Sequence, residues 1–504
     1  MSIYGLNRTT RNHFPVWPQM PRDRKTNRLG KFIPWRMLLA FVLCAAAATL
    51  ASAQTKFTSL LSFAGTNGAN PHYVYLVQGV DGNLYGTTYV STGSGGTVFK
   101  ITTKGALSTL YTFCPDGEPC LDGAQPEAGL VLATDGNFYG TTMNGGANNF
   151  GTVYQITSAG KRTTLHSFDS TDGAEPEVGL IQATNGELFG TTSIGGSSDV
   201  GTIFDITTAG AFTSLLTFIG TNGDYPDGRL VQGTDGNFYG TTEEVSSGSG
   251  TVFKMSPAGK LTRLHKFTGS GSDGAGPTSA LIQASNGNFY GTTQAGGSHS
   301  DGTVFQITPA GKLTTLYSFC AKSDCTDGAN PSAGLIQATD GNLYGTTFSG
   351  GSNETSCNGG CGTIFRITTA GKLTTLYNFC SKSECVDGSQ PQEGLVQHTN
   401  GALYGMTYYG GTDGLGTVYS LSVGLGPFVE TLPTSGIVGA KVIILGTSLT
   451  SATNVTFDGT AATFKVVSSS EISTTVPAGA KSGIVQVTTS AGGLSSNVVF
   501  VVSN

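Results

Sequence analysis

Between residues 56 and 423, apolar and polar residues alternate in short runs, each broken by Gly, Asn, Asp or Pro. Period-two alternation bounded by turn residues predicts β-strands rather than helices. Within one stretch the pattern gives four such runs: Gly334–Thr339, the LYGTT run from Leu343, Gly362–Thr368 and Lys372–Phe379. Asp340-Gly341 separates the first two as a tight hairpin, because these residues tolerate the positive φ that such turns need. Thr369-Ala370-Gly371-Lys372 supplies the turn before the fourth. We call the four strands a, b, c and d.

The same unit recurs. DGNLYGTT at Asp81 returns, with small changes, at Asp135, Asn185, Asp235, Asn286, Asp340 and Asn400, at spacings of 54, 50, 50, 51, 54 and 60 residues. A GT-[VI]-[FY] segment follows each copy, beginning at Gly96, Gly151, Gly201, Gly250, Gly302, Gly362 and Gly416. Four antiparallel strands in each of seven copies predict an all-β fold with a seven-bladed β-propeller. Its closure is predicted as well. Lys56–Phe63 (KFTSLLSF) matches strand d with no a, b or c before it, while the seventh unit has a, b and c (Gly394–Leu421) but no d. The N-terminal strand is therefore expected to complete the last blade and remove its open edge. From Pro427 the repeat stops, and short alternating strands with frequent turn signals predict an immunoglobulin-like β-sandwich. The expected domains are residues 1–53, 54–424 and 425–504.

The first segment reads as a signal peptide. A basic stretch is followed by the apolar run Met37–Ala51 and an Ala51-Ser52-Ala53 cleavage site. The run is short for a membrane span. Met20 is an alternative start to Met1, and Leu43 before Cys44 does not favour lipoprotein processing. No apolar tail follows the last strand, so no membrane span is expected after cleavage. The leader holds eight of the 26 Lys/Arg and one of the 32 Asp/Glu, so the mature chain carries 18 positive and 31 negative side chains, near −13. Such a surface repels phosphate backbones, which excludes nucleic acid as an expected partner. Trp17 and Trp35 leave with the leader, which argues against WD40-type and sialidase-type repeats. Glycine accounts for 75 of 504 residues, and most of these are hairpin and linker positions of the recurring unit.

The repeated GL[IV]Q-x-[TS]-[DN]-G-x-[LF]-[YF]-G-T-T…G-T-[VI]-[FY] unit resembles the GloVer-type tandem repeat of bacterial exported proteins. The C-terminal segment resembles an IPT/TIG domain, through Pro433-Thr434-Ser435-Gly436, Gly439, Gly446, Val455-Thr456-Phe457, Val476-Pro477 and Gly492-Gly493. The resemblance implies a secreted or cell-surface protein and supplies no catalytic residue.

Eight cysteines remain after the leader, in close pairs: Cys114/Cys120, Cys320/Cys325, Cys357/Cys361 and Cys380/Cys385. In an exported chain they read as four local disulfides that stiffen loops on one face. The rival is a zinc site joining Cys320/Cys325 to Cys380/Cys385.

Each linker before strand a carries [DN]-G-x-x-P, beginning at Asn67, Asp122, Asp172, Asn222, Asp273, Asp327 and Asp387. It reads as a turn motif. The residue after the proline varies around the repeats: His72, Glu127, Glu177, Asp227, Thr278, Ser332 and Gln392. His72, Glu127, Glu177 and Asp227 are the candidate ligand- or cation-binding residues, since converging carboxylates suit a hard cation such as Ca²⁺. The bland alternative is a solvated acidic rim, and Glu243-Glu244 reads as a solvated loop. The repeated Gln78, Gln182, Gln232, Gln283, Gln337 and Gln397, broken by Leu132, read as hydrogen bonds between blades. His166 and His265 replace a repeated strand-d tyrosine and read as packing substitutes.

Two function classes follow. The first is a monomeric, non-catalytic exported scaffold that presents one variable face to an extracellular ligand, glycan or protein and needs no cofactor. The second is a metal-dependent lyase, lactonase or glycan hydrolase acting at the channel mouth.

Overall fold

The computed structural model describes residues 55–243, 248–353, 357, 359–392 and 394–503. The leader expected over residues 1–53 lies outside the described residues, as does Glu244. The described chain is all-β apart from three short 3₁₀ turns, Ser323–Cys325, Ser383–Cys385 and Leu449–Ser451. None of its helices is long and apolar enough to cross a membrane.

Residues 56–422 form seven four-stranded antiparallel sheets of one pattern, which we number 1 to 7 in the chain order of their a strands. In sheet 6 the strands are Ile336–Gln337, Leu343–Thr347, Thr363–Ile367 and Leu373–Asn378. Strand a spans only two residues, fewer than the hydrophobic run predicts, because an Asx turn follows it at once: Asn342 N donates to Asp340 Oδ1 at 3.1 Å. The predicted closing strand is in place. Lys56–Ser62 pairs antiparallel with Thr417–Ser422, and the sheet continues through Leu403–Thr407 to Val396–Gln397. Strand b is wholly buried in every sheet, and its apolar side chains pack with strand c of their own sheet and with the next sheet.

Two sets of contacts join successive sheets and return from sheet 7 to sheet 1, the first of them from sheet 2 onward. The first uses the repeated glutamines. Thr134 N donates to Gln182 Oε1 at 2.9 Å, and Thr184, Thr234, Ser285 and Thr339 donate in the same way to Gln232, Gln283, Gln337 and Gln397. Thr399 N of sheet 7 donates to Gln78 Oε1 of sheet 1 at 2.9 Å. The second set seats each linker proline on the strand-c glycine of the preceding sheet. A Cβ on Gly151 would stand 2.7 Å from Pro176 Cδ, and one on Gly416 would stand 3.0 Å from Pro71 Cδ. These glycines also hold φ near +95°, so side chains are excluded there twice.

The C-terminal residues form a four-stranded sheet (Glu430–Leu432, Lys441–Leu445, Glu471–Thr475, Phe464–Val466) and a five-stranded one. Both contribute to one buried cluster that includes Val442, Ile444 and Ile472 from the first and Val455, Val485 and Phe500 from the second. This region docks where the glutamine series breaks. Leu132 shares an apolar cluster with Val80, Leu432, Ile443 and Leu445, and Ser470 Oγ donates to Val80 O at 2.7 Å. An amide at position 132 would have been buried against leucines with its hydrogen bonds at risk.

All four expected disulfides are present, closing sequence separations of 6, 5, 4 and 5 residues. Loop-closure entropy gives about 2 kcal/mol for each. Reduction is therefore expected to lower the urea midpoint measurably. An unchanged midpoint in reductant would show that the loops are held without their cystines.

Candidate functional site

The [DN]-G-x-x-P linkers explain their own first residues. Asp122 accepts from Tyr111 OH at 2.8 Å, Asp327 from Tyr317 OH at 2.6 Å, and Asp387 from Tyr377 OH at 2.5 Å. His166 and His265 take the tyrosine role toward Asp172 and Asp273, at 2.8 and 3.3 Å. These aspartates and histidines lock strand d to the linker and are not free to bind ligand. The residue before each proline holds a left-handed φ, from 48° at Asn70 to 62° at Gly276. The seven linkers therefore share one turn, and they differ in the side chain that follows the proline.

The variable position brings its carboxylates into one electrostatic neighbourhood. His72 Nδ1 is hydrogen-bonded to Glu127 Oε1, and Glu127 is only 6% exposed. Tyr73, Tyr89 and Tyr408 surround the His72 ring at centroid distances of 4.2, 5.6 and 5.1 Å. Glu177 accepts from Ser193 Oγ at 2.9 Å. Burial, with Glu127 nearby, pushes the Glu177 carboxyl up to about 7. Asp227 is raised well above the carboxylate range, first by burial and then by the Glu177 charge and a hydrogen bond with Glu243. Two carboxyl groups can share that hydrogen bond only if one is protonated. Burial and the surrounding carboxylates also raise the Tyr73 phenol.

Glu243, expected in a solvated loop, thus belongs to the site. The backbone places it there: Glu243 N donates to Tyr225 O at 2.9 Å, two residues before Asp227. The carboxylates are neighbours without forming one tight cage. Among the described residues, the groups of three or more ligating atoms lying mutually within 4.8 Å are Cys357, Cys361, Cys380 and Cys385, and Asp301 with Cys320 and Cys325. One of these corrects the zinc alternative, because Cys380/Cys385 meets Cys357/Cys361 and not Cys320/Cys325, and the four sulfurs are already paired as disulfides.

Below the variable position lies a ring that the sequence reading passed over. The residue before the strand-a leucine is Gly129, Gly179, Gly334 and Gly394 in four units and Ala280 in a fifth, but Tyr75 and Arg229 in the other two. The glycines make room for these two side chains. A Cβ on Gly394 would overlap the Tyr75 ring, one on Gly334 would stand 2.8 Å from its hydroxyl, and one on Gly179 would stand 3.4 Å from Arg229 Cδ. Gly334 N donates to Tyr75 OH at 3.1 Å, and Arg229 Cζ lies 5.2 Å from the Tyr75 ring centroid. Tyr75 therefore joins sheet 1 to Arg229 of sheet 4 and to the glycines of sheets 6 and 7. The signal that could have found them was their departure from a Gly/Ala position.

The cavity above this pair is lined by Tyr73, Asp227, Arg229, Thr278, Ser332 and Gln392, among others. Thr278 and Ser332, not weighed as site residues from the sequence, thus join Asp227 in one chamber.

Several solved structures are similar in fold. They include the periplasmic gluconolactonase PpgL from Pseudomonas aeruginosa (16% identical, 68% of this chain and 96% of that one, TM-score 0.42). Another is the 6-phosphogluconolactonase candidate from Bacteroides fragilis (20% identical, 65% and 88%, TM-score 0.43). A third is the gluconolactonase XC5397 from Xanthomonas campestris (11% identical, 74% and 92%, TM-score 0.38). None of the curated proteins matches the chain in sequence. The Gloeobacter/Verrucomicrobia repeat is matched over residues 46–186, 178–357 and 232–466, and the chain belongs to that repeat family.

Proposed function

We propose that this chain is an exported, non-catalytic ligand-binding protein. In this reading residues 1–53 are removed on export, residues 54–424 form a closed seven-bladed β-propeller, and residues 425–504 form an immunoglobulin-like IPT/TIG domain. The protein is secreted or held at the cell surface, and it acts as a monomer. The propeller binds a small polar ligand, such as the end of a glycan, at the mouth formed by His72, Glu127, Glu177 and Asp227. One observation carries the reading. Tyr75 and Arg229 meet each other and both line the polar cavity beside Asp227, so in this reading the mouth ends in a blind polar pocket rather than a pore. Carboxyl groups that are partly protonated can both donate to and accept from hydroxyls, and the three tyrosines around His72 offer apolar faces beside them.

Glycan-array binding with the wild type and a Glu127→Gln/Glu177→Gln/Asp227→Asn variant tests it. Binding lost in the variant is expected, and binding retained there moves the ligand elsewhere on the molecule.

A second reading, a metal-dependent lyase, lactonase or glycan hydrolase, draws on Glu177, whose pKa near 7 suits a general acid or base. Calcium titration followed by thermal shift separates the two. Because no three carboxylates among the described residues place an oxygen each within 4.8 Å of one another, no rise that depends on Asp227 is expected at millimolar calcium. A rise abolished by Asp227→Asn would favour the enzyme.

A further inference from the structure

Arg229 stands out among the cations of this chain. It occupies the position before the strand-a leucine, which is glycine or alanine in five of the seven units. No carboxylate lies within ion-pairing distance of it among the described residues, and its Nε is buried with no hydrogen-bond partner. Its recorded neighbour is the face of Tyr75, which is no substitute for an anion. Burial accordingly pulls its pKa below the ordinary value.

Two hydroxyls share its cavity in the same condition. Ser332 is only 3% exposed, and both Ser332 Oγ and Thr278 Oγ1 are buried without a partner. Each would ordinarily cost free energy unless something bonds to it. The cavity is small, with about 20 Å³ of free space, room for one water-sized group such as a single carboxylate oxygen reaching in from the mouth. The carboxyl that lines the same cavity, Asp227, ionises less readily than a solvated aspartate, first because it is buried and then because Glu177 and Glu243 lie beside it.

We infer that the chamber formed by Arg229, Thr278 and Ser332 binds the carboxylate of a hydroxylated acid, so that the ligand of the channel mouth is a sugar acid and not a neutral sugar. The inference rests on the ligand-binding reading of the mouth and names the class of ligand. The guanidinium and the two hydroxyls would hold one carboxylate oxygen, while Glu177 and the His72–Glu127 pair face the hydroxyls of the sugar ring.

Isothermal titration with D-glucuronate, methyl β-D-glucuronide and D-glucose tests it on the wild type, on Arg229→Gln and on Glu177→Gln. Glucuronate or its glycoside is expected to bind about tenfold or more tighter than glucose, as charge-assisted hydrogen bonds to a carboxylate would give. A tighter glycoside points to a glycan terminus, and a tighter free acid to a soluble metabolite. Either supports the inference. The preference should collapse toward unity in Arg229→Gln, survive in Arg229→Lys and persist in Glu177→Gln, where all affinities fall together. Equal affinity for glucose and glucuronate in the wild type overturns the inference without recourse to any variant. So does an undiminished preference in a folded Arg229→Gln protein, or the binding of neither sugar. The mouth reading fails separately, if the triple carboxylate variant keeps its glycan ligands.

Discussion

A chain lacking Lys56–Ser62 is expected to lose its cooperative thermal transition. That strand completes sheet 7, and without it Thr417–Ser422 becomes an open edge of unpaired N–H and C=O groups. The strand also ties sheet 7 to sheet 6, since Phe57 stacks on Tyr377 at a centroid distance of 3.8 Å and lies 5.3 Å from Tyr419. At its end, Phe63 is fully buried, and Phe63 N donates to Gly416 O at 3.0 Å. Truncating that one side chain, Phe63→Ala, should cost about 3–5 kcal/mol, a large part of the 5–15 kcal/mol by which a domain is typically stable. Deleting the whole strand removes this core contribution together with the ladder. Calorimetry of the truncated chain beside Phe63→Ala is the check. A truncated chain that melts like the wild type would mean that the strand is an accessory to sheet 7 and not part of its closure.

The second large effect is one of pH. In the folded chain Glu177 keeps its proton up to about pH 7, whereas an unfolded glutamate ionises near its ordinary value of 4.5. Below pH 4.5 both states are protonated and the group contributes no difference. Between 4.5 and 7 the unfolded chain ionises while the folded chain does not, so stability falls as pH rises. Above 7 the loss is constant. The shift corresponds to at most about 3 kcal/mol, reduced by the solvent that still reaches the group. Asp227 acts in the same direction. Urea midpoints in EDTA should therefore be higher at pH 5 than at pH 8, and Glu177→Gln should remove much of the difference. A pH dependence identical in wild type and Glu177→Gln would show that this carboxyl is better solvated than its surroundings indicate. The same burial that destabilises the empty site supplies protonated carboxyls that can donate to a ligand.

The repeating frame was legible because its determinants are local. Asp-Gly turns, the alternation of strands b and c, and the pairing of a leading strand d with a unit that lacks one are all written within short stretches of chain. The glutamine links between sheets and the disulfides followed from repetition and close spacing. The site was legible only in part. The variable position after proline directed attention to His72, Glu127, Glu177 and Asp227, but Glu243 looked like any solvated loop residue. Tyr75 and Arg229 went unnoticed because each looks ordinary in its own unit. Both become unusual only when the seven units are compared at the position before the strand-a leucine.

The sequence by itself thus determined the unit, its strand order, its turns and its cystine pairs, since these are set by propensity and spacing over a few residues. Only the tertiary structure decided that Asp227 meets Glu243, that His72 meets Glu127, and that Tyr75 meets both Arg229 and the glycines of sheets 6 and 7. Those contacts join side chains from different units, and what each group does there depends on burial and neighbouring charge, which exist only once the sheets are packed together.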